Sequence, residues 1–171
     1  MFENWKDQNP LQRTRRNHAL EHATLTVLRQ KGVRGSLAGI SGPTGFWLYG
    51  MIDPSILQIS VEEALQRLRN GEKQLAINPN CGTNFVIPGV LSGLAVWLIM
   101  LIPSKDNFKS KLEHLPWIMF VITLISILAR PLGPTVQRKV STNANVGRMK
   151  VSSIMIYTGR GRWFQHVVTR H

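Results

Sequence analysis

Two histidines and a glutamate near the start of the chain have the spacing of a metal-binding helix. They are His18, Glu21 and His22, within the stretch RNHALEHATL. A helix turns by about 100° per residue, so the two imidazoles lie roughly 40° apart and the carboxylate about 60° to the other side of His18. Two imidazoles at i and i+4 are a common pair of zinc ligands, and a neighbouring glutamate can orient or deprotonate water. The order is the inverse of the commoner His-Glu-x-x-His zinc helix.

A second interpretation of the same helix needs no metal. Leu20, Ala23 and Val27 form an apolar face, while Arg15 and Arg29 share the other face with the histidines. An ordinary amphipathic helix with a solvated polar face has the same pattern. The helix alone therefore leaves both interpretations open, and a third ligand is needed to favour the metal site.

The turn NPNCGTNF, residues 78–85, offers that third ligand. Its Cys81 is the single cysteine of the chain, so it cannot form an internal disulfide. Gly82 allows the backbone to bend tightly, and Thr83 can form hydrogen bonds beside the thiol. The alternative is a buried cysteine that only fills space.

We therefore expect a three-ligand zinc site, although another divalent ion would also suit it. Catalytic zinc is held by three protein ligands and keeps a fourth position open. The expected ligands are His18, His22 and Cys81. Glu21 is the expected catalytic residue, as the general base that takes a proton from water. His166, in the stretch FQHVVT, is a fourth candidate, although its surroundings are more typical of an ordinary strand residue.

Two apolar runs in the second half of the chain have the composition of membrane-spanning helices. Residues 85–103 contain no charge, and residues 115–133 are uncharged up to Arg130. At about 1.5 Å per residue the first run nearly spans a hydrocarbon core of roughly 30 Å, and in the second, shorter run Arg130 could reach the headgroups. The loop between them, SKDNFKSKLEH, is short, so the runs predict a transmembrane hairpin. The alternative is a buried helical hairpin of a soluble protein.

Most of the formal net charge of +12 lies after the second apolar run. Residues 130–171 contain eight Lys/Arg and no Asp/Glu, whereas residues 1–85 contain ten basic and seven acidic residues. By the positive-inside rule both termini are expected to be cytoplasmic, at the plasma membrane or, in a photosynthetic host, the thylakoid. The expected partner is a lipid bilayer, whose anionic leaflet accounts for the charge. No nucleic acid is expected, because no base-stacking pattern or recognition motif is present.

The polar segments predict an α+β domain. A helix is expected over residues 14–31, and GPTG resembles the turn of a β-hairpin. SVEE fits a capping box that begins a second helix at Ser60, and that helix should end at the Asn-Gly pair of residues 70–71. MKVSSIMIYT and WFQHVVT flank GRGR and predict a second hairpin, whose strands should join those near residues 35–52.

The fold class expected is therefore an α+β membrane protein, with a two-helix transmembrane hairpin and a small cytoplasmic domain built from both chain ends. Residues 1–84 would form the α+β part with the His-x-x-Glu-His helix and the cysteine turn. Residues 85–133 would form the hairpin, and residues 134–171 the basic cytoplasmic tail with its β-hairpin. The N-terminal MFENWKDQNP has no apolar segment and does not resemble a signal peptide.

HALEHA, followed some sixty residues later by NPNCGTNF and then by an apolar run, resembles the YqhQ-type family of uncharacterised bacterial membrane proteins, or a shorter relative of it. That family is described as predicted metal-dependent enzymes, with a His-Pro-x-Cys-Gly-Thr motif before the membrane helices. LGPTVQRKVST also resembles the stretch that follows those helices. The residues that carry over are His18, Glu21, His22, Cys81, Gly82, Thr83 and Gln137. Where the family motif has histidine, this chain has Asn78, which puts metal binding in question if that histidine is a ligand.

These patterns favour a membrane-anchored zinc hydrolase that acts on a lipid, a membrane-embedded peptide segment or another amphiphile at the membrane surface. The alternative is a non-catalytic accessory or assembly subunit of a larger membrane protein complex, in which the histidine face contacts a partner or a partner's cofactor. In support of it, Gly89, Ser92 and Gly93 would let another helix approach the first apolar run closely. A third hypothesis is a binder of anionic lipid or nucleic acid through the basic tail alone.

Overall fold

The computed structural model describes residues 9–101, 114–159 and 162–171. The chain divides into two units, and Met1–Asn78 together with Gln137–His171 form unit 1, whereas Pro79–Val136 forms unit 2. Three predictions lie outside the described residues: the polar N-terminus, most of the loop between the apolar runs, and the turn at GRGR.

The described residues of unit 1 form two α-helices, one 3-10 helix, one π-helix and four strands. In chain order these are α1 (Pro10–Gln30), β1 (Ala38–Gly42), β2 (Gly45–Tyr49), α2 (Pro54–Arg69), a 3-10 helix (Lys73–Ala76), a π-helix (Gln137–Ser141), β3 (Lys150–Gly159) and β4 (Arg162–Arg170).

The helix α1 starts four residues before the predicted position because its N-terminal signals lie upstream. Asn9 caps it by accepting a hydrogen bond from the Leu11 amide, and Pro10 occupies the first turn, where no backbone donor is needed. The helix ends at Gln30, and Gly32 follows with a φ of 82°, a conformation that glycine adopts without a Cβ penalty.

The helix α2 begins at Pro54, so the prediction that Ser60 caps it is wrong. The Asp53 carboxylate accepts hydrogen bonds from the amides of Ser55 and Ile56, and its pKa is lowered, first by the Ser55 hydroxyl and then by these amides. An Asp-Pro pair is therefore the cap, and Ser60 is a buried residue inside the helix. The predicted end at Asn70 and Gly71 is confirmed.

The four strands form one antiparallel sheet in the order β1-β2-β4-β3. The first hairpin turns between the paired residues Gly42 and Gly45, at the predicted GPTG. The two hairpins meet where β2 pairs with β4, from Gly45 opposite Val168 to Tyr49 opposite Phe164. The prediction that the C-terminal strands join those near residues 35–52 is therefore confirmed, as is the α+β character of this part.

One face of this sheet and the two α-helices enclose the core of unit 1. Phe46, Leu48 and Val167 are buried together with Leu20 and Leu28 of α1. Because strand side chains alternate, Trp47 and its neighbours occupy the opposite face. The helix α1 contacts α2, β1, β2 and the 3-10 helix, so it is the central element of the unit.

The helices in the described residues of unit 2 are α3 (Thr83–Met100), α4 (Leu115–Leu128) and α5 (Leu132–Val136), and α3 contacts both α4 and α5. The prediction of a two-helix transmembrane hairpin is wrong. Among the described residues only α3, with 18 residues and a mean hydropathy of 1.7, is long and apolar enough to cross a membrane by itself.

The second apolar run fails that criterion because it is interrupted. The helix α4 has 14 residues, and the helical stretch that begins at Leu132 is bent by 53° from it. Pro131 lies in the break, and proline disfavours helical conformation in the residue before it. A second span would exist only if this bent pair acted as one.

Candidate metal site

The two histidines of α1 lie side by side. Their ring centroids are 4.3 Å apart, and the ring planes are inclined by 62°. His22 is only 1% exposed and His18 is half-buried. The interpretation of this face as solvated is therefore wrong, because α1 is covered on several sides by other elements of unit 1.

Each imidazole is oriented by a backbone carbonyl. His18 Nδ1 lies 3.0 Å from the Ser141 carbonyl oxygen, and His22 Nδ1 lies 2.8 Å from the Ala76 carbonyl oxygen. A carbonyl oxygen can only accept, so Nδ1 is the donor in both bonds. A neutral ring with its proton on Nδ1 has its lone pair on Nε2, the usual arrangement of a metal-ligating histidine.

Glu21 is held against strand β1. Its side chain is 4% exposed, and Oε2 accepts a hydrogen bond of 2.5 Å from the Ser41 hydroxyl. A Cβ at Gly39 would lie 2.8 Å from Glu21 Cγ and closer still to the carboxylate, so the glycine creates the space that Glu21 occupies. The carboxylate is thus a buried, hydrogen-bonded acceptor, and its role as a general base stays a prediction.

The cysteine turn in unit 2 is tied together by its own hydrogen bonds. Cys81 is buried, and its Sγ lies 3.4 Å from Thr83 Oγ1. The Asn84 amide donates to the Cys81 carbonyl at 3.0 Å, and Asn84 Nδ2 donates to the Pro79 carbonyl at 2.6 Å. Asn84 also packs so closely on Gly133 that no Cβ would fit there. These hydrogen bonds and this packing fix the conformation of the turn.

A buried glutamine fixes the chain just before this turn. Gln137 Oε1 accepts from the Asn78 amide at 2.9 Å, and Gln137 Nε2 donates to the Asn78 carbonyl at 3.0 Å. This pair of bonds, the Gln137 clamp, uses only the backbone of residue 78. The clamp therefore does not require the histidine of the YqhQ-type motif at that position.

His18, His22 and Cys81 are a ligand set of two imidazoles and one thiolate that could hold a metal ion. This donor set does not identify the metal, because zinc, iron and copper all accept nitrogen and sulfur ligands.

His166 has a different environment from the α1 histidines. Its ring stacks on Trp47 with a centroid distance of 4.2 Å and an interplanar angle of 3°. It lies on the sheet face opposite to the buried Val167. Burial lowers the pKa of His166 below its usual value of 6.5, because desolvation disfavours the charged ring. The structure therefore accounts for His166 as a strand residue.

Two polar residues that support this region were missed by the sequence analysis. Asn17 is fully buried, donates to the Gly42 carbonyl at 2.7 Å and accepts from Thr169 Oγ1 at 2.7 Å. Ser41 is the hydroxyl that binds Glu21. Both have partners far away in the sequence, and no local pattern indicates such pairs.

Comparison with known proteins gives a family but no activity. The chain is 40% identical over 107 residues to an uncharacterized protein of the cyanobacterium Picosynechococcus sp., and the alignment covers 55% of this chain. It covers 52% of that protein, so the chain spans about half the length of this relative. No solved structure matches. The YqhQ-type resemblance and the metal dependence that it implies are not confirmed by these comparisons. Residues 13–154 match the domain of unknown function DUF6391, and the chain belongs to that family.

Proposed function

We propose that the protein is a metal-dependent hydrolase that acts at a membrane surface, with Zn²⁺ held by His18, His22 and Cys81. The observation that carries this proposal is a pair of neighbouring imidazoles, one buried and one half-buried, whose Nδ1 atoms both donate to backbone carbonyls. With Nδ1 donating to a carbonyl, the Nε2 lone pair of each neutral ring is the atom that can bind a metal, and two adjacent rings of this kind favour a shared ligand at Nε2.

The connection between the histidine pair and the cysteine supports a thiolate as the third ligand. The Ala76 carbonyl is bound to His22, and Cys81 follows five residues later in the chain. An extended chain covers at most about 3.3–3.6 Å per residue, so five residues limit the Cys81 backbone to within about 18 Å of Ala76. The Gln137 clamp further limits the conformations that residues 78–81 can adopt.

Within this proposal each side chain has a distinct task. The three ligands would hold the ion, which when bound would act as a Lewis acid toward the scissile bond. Glu21 would accept a proton from the attacking water, and Ser41 would keep the carboxylate oriented between turnovers.

The helix α3 supports a location at a lipid bilayer. Only 6% of its apolar window is buried within the protein, and water is a poor solvent for such a surface. With 18 residues it is about 27 Å long, so it offers an apolar surface that could insert into a hydrocarbon layer. The excess of basic residues after residue 130 favours the cytoplasmic side for unit 1.

Metal analysis of purified protein tests the proposal. We expect about one zinc per chain in the wild type, a strong loss in His22→Ala and Cys81→Ser, and no loss in His166→Ala. After cobalt substitution, the wild type but not Cys81→Ser should show thiolate-to-metal charge-transfer absorption. Negligible metal in wild type and His22→Ala alike would end the proposal.

The exposed apolar surface of unit 2 also favours a second candidate, an accessory or assembly subunit of a membrane protein complex. The helix α4 has no buried residue, so either lipid or a partner helix could cover it. Stoichiometric copurification with a large complex that stays intact after His18→Ala, together with no hydrolytic activity in the wild type, would favour this candidate over the hydrolase.

A further inference from the structure

A cavity of about 520 Å³ in unit 1 is lined by three basic side chains, and none of its lining residues is acidic. The basic residues are Arg15, Lys73 and Arg138. We propose that this cavity binds the phosphate group of an anionic ligand. The inference extends the proposed function by naming a substrate class, a phosphate ester, and in that respect it rests on that function.

Arg15 is the fixed element of the cavity. Its Nη2 donates to the Lys139 carbonyl at 2.8 Å and to the Thr142 carbonyl at 3.3 Å. Its Nε is buried and has no hydrogen-bond partner within the described structure. A guanidinium held in one orientation loses little entropy on binding, and its planar donors match the oxygens of a phosphate.

Lys73 and Arg138 are exposed side chains that can move toward a ligand. They come from segments far apart in the sequence, the 3-10 helix and the π-helix. Their positive charges repel each other, and an anion between them would relieve that repulsion. The neighbouring acidic residue, Glu72, is paired with Arg67 at 2.8 Å, so its charge is already compensated.

Amide side chains complete the lining without adding negative charge. Gln74, Asn143 and Asn145 contribute neutral donors and acceptors to the cavity. The Asn143 amide donates to the Arg15 carbonyl at 2.9 Å, which ties this loop to α1. A site of one fixed cation, two mobile cations and neutral amides favours a compact polar anion such as phosphate over an apolar ligand.

The same segments line the cavity and orient the two histidines. Ala76, whose carbonyl binds His22, is a lining residue, and the lining residue Thr142 directly follows Ser141, whose carbonyl binds His18. A phosphate held in the cavity would therefore anchor an ester close to the proposed metal. The phosphate could belong to a lipid headgroup or to a soluble ester, and the chemistry of recognition is shared.

Binding of inorganic phosphate to the full-length, metal-free protein tests the site directly. The decisive variant is the double substitution Lys73→Gln and Arg138→Gln, which changes only exposed side chains. The matched control is Arg29→Gln with Arg34→Gln, which removes the same charge from exposed positions outside the cavity. Titration calorimetry at constant ionic strength, with vesicles containing phosphatidic acid or only phosphatidylcholine as a second arm, compares the three proteins.

We expect the cavity variant to bind phosphate at least about tenfold more weakly than wild type, and the control to change little. The same ranking with phosphatidic acid vesicles but not with free phosphate would assign the site to a lipid headgroup. Equal losses in both variants, or no binding to either probe, would overturn the inference. Phosphate binding is measured on metal-free protein, so it is independent of the zinc content of the protein as purified. Phosphate binding by a protein that contains no zinc would contradict only the hydrolase proposal. Zinc in a protein that does not bind phosphate would contradict only the proposed phosphate site.

Discussion

The helices α1 and α3 are both long, with 21 and 18 residues, but they distribute polar and apolar side chains in opposite ways. In α1 the buried residues include Asn17, Glu21, His22 and Thr24. In α3 the exposed residues include Phe85, Val90, Trp97 and Leu98, and Ser92 is the one buried residue.

Each arrangement is informative because it is costly in water. A buried polar group must be hydrogen-bonded. An exposed apolar surface of this size needs either an apolar protein partner or a nonpolar environment around it. The buried polar side chains of α1 form hydrogen bonds with backbone carbonyls and with the Ser41 hydroxyl. Such oriented polar side chains are expected around a ligand-binding site. The exposed side chains of α3 are mostly apolar, so they differ in character from the buried polar side chains of α1.

The largest expected effect tests whether stability resides in the core around α1. Leu20→Ala removes a fully buried side chain and should cost about 2–5 kcal/mol of unfolding free energy. Leu98→Ala in α3, where the leucine is 52% exposed, should cost about 0.5 kcal/mol or less. Urea unfolding in a mild detergent measures both. Similar losses for the two variants would contradict the contrast between the helices.

The next effect concerns a buried amide that binds backbone. Gln137→Ala removes both hydrogen bonds between this side chain and the Asn78 backbone and should cost about 1–3 kcal/mol. Gln58→Ala, which removes an exposed glutamine that bonds Glu62, should change stability by about 0.5 kcal/mol or less. If the first variant were as stable as the second, the clamp would have no energetic role.

A smaller effect tests the packing of Glu21 on strand β1. Gly39→Ala pushes the carboxylate away from Ser41 and should cost about 1 kcal/mol through the lost hydrogen bond. Gly42→Ala on the same strand is the control, because a Cβ there would be 4.0 Å from the Gly45 carbonyl oxygen, an ordinary van der Waals distance. Chemical denaturation should separate the two variants, and an unchanged Gly39→Ala would show that Glu21 moves without cost.

The smallest effect is a pH dependence at His166. Its pKa is lowered in the folded protein, so the folded state binds fewer protons than the unfolded state as the pH falls through the usual value of 6.5. Stability should therefore be complete above that value and decrease below it. His166→Phe should keep the stacking on Trp47 and flatten the profile between about pH 5 and 7. Parallel melting-temperature profiles for the two proteins would assign the effect to another group.

Local signals in the sequence predicted much of unit 1. The GPTG turn, the Asn-Gly end of α2 and the alternating C-terminal strands each depend on a few adjacent residues. The cap of α2 was assigned wrongly because two capping signals lie close together, and the Asp53-Pro54 pair comes first. Where two local patterns compete, the sequence does not show which one the tertiary structure will use.

The candidate site shows where such predictions stop. The types of its residues were clear from the sequence, but their environment depends on partners such as Ser141 for His18 and Ala76 for His22, which are distant in the chain. The break at Pro131 had a signal in the sequence, the proline itself, but the apolar composition of the run outweighed it. The basic cavity has no signal in the sequence, because its three basic residues come from three separate segments of the chain.

The Gln137 clamp also has a consequence for how the chain is assembled. Asn78 is the last residue before unit 2, and Gln137 is the first residue after it. The residues on either side of the intervening sequence are thus hydrogen-bonded to each other within unit 1, as is common where one domain is inserted into another. A short peptide bridge could replace residues 79–136, which would remove the exposed apolar helices of unit 2 and keep the sheet, the histidine pair and the basic cavity in one shorter chain.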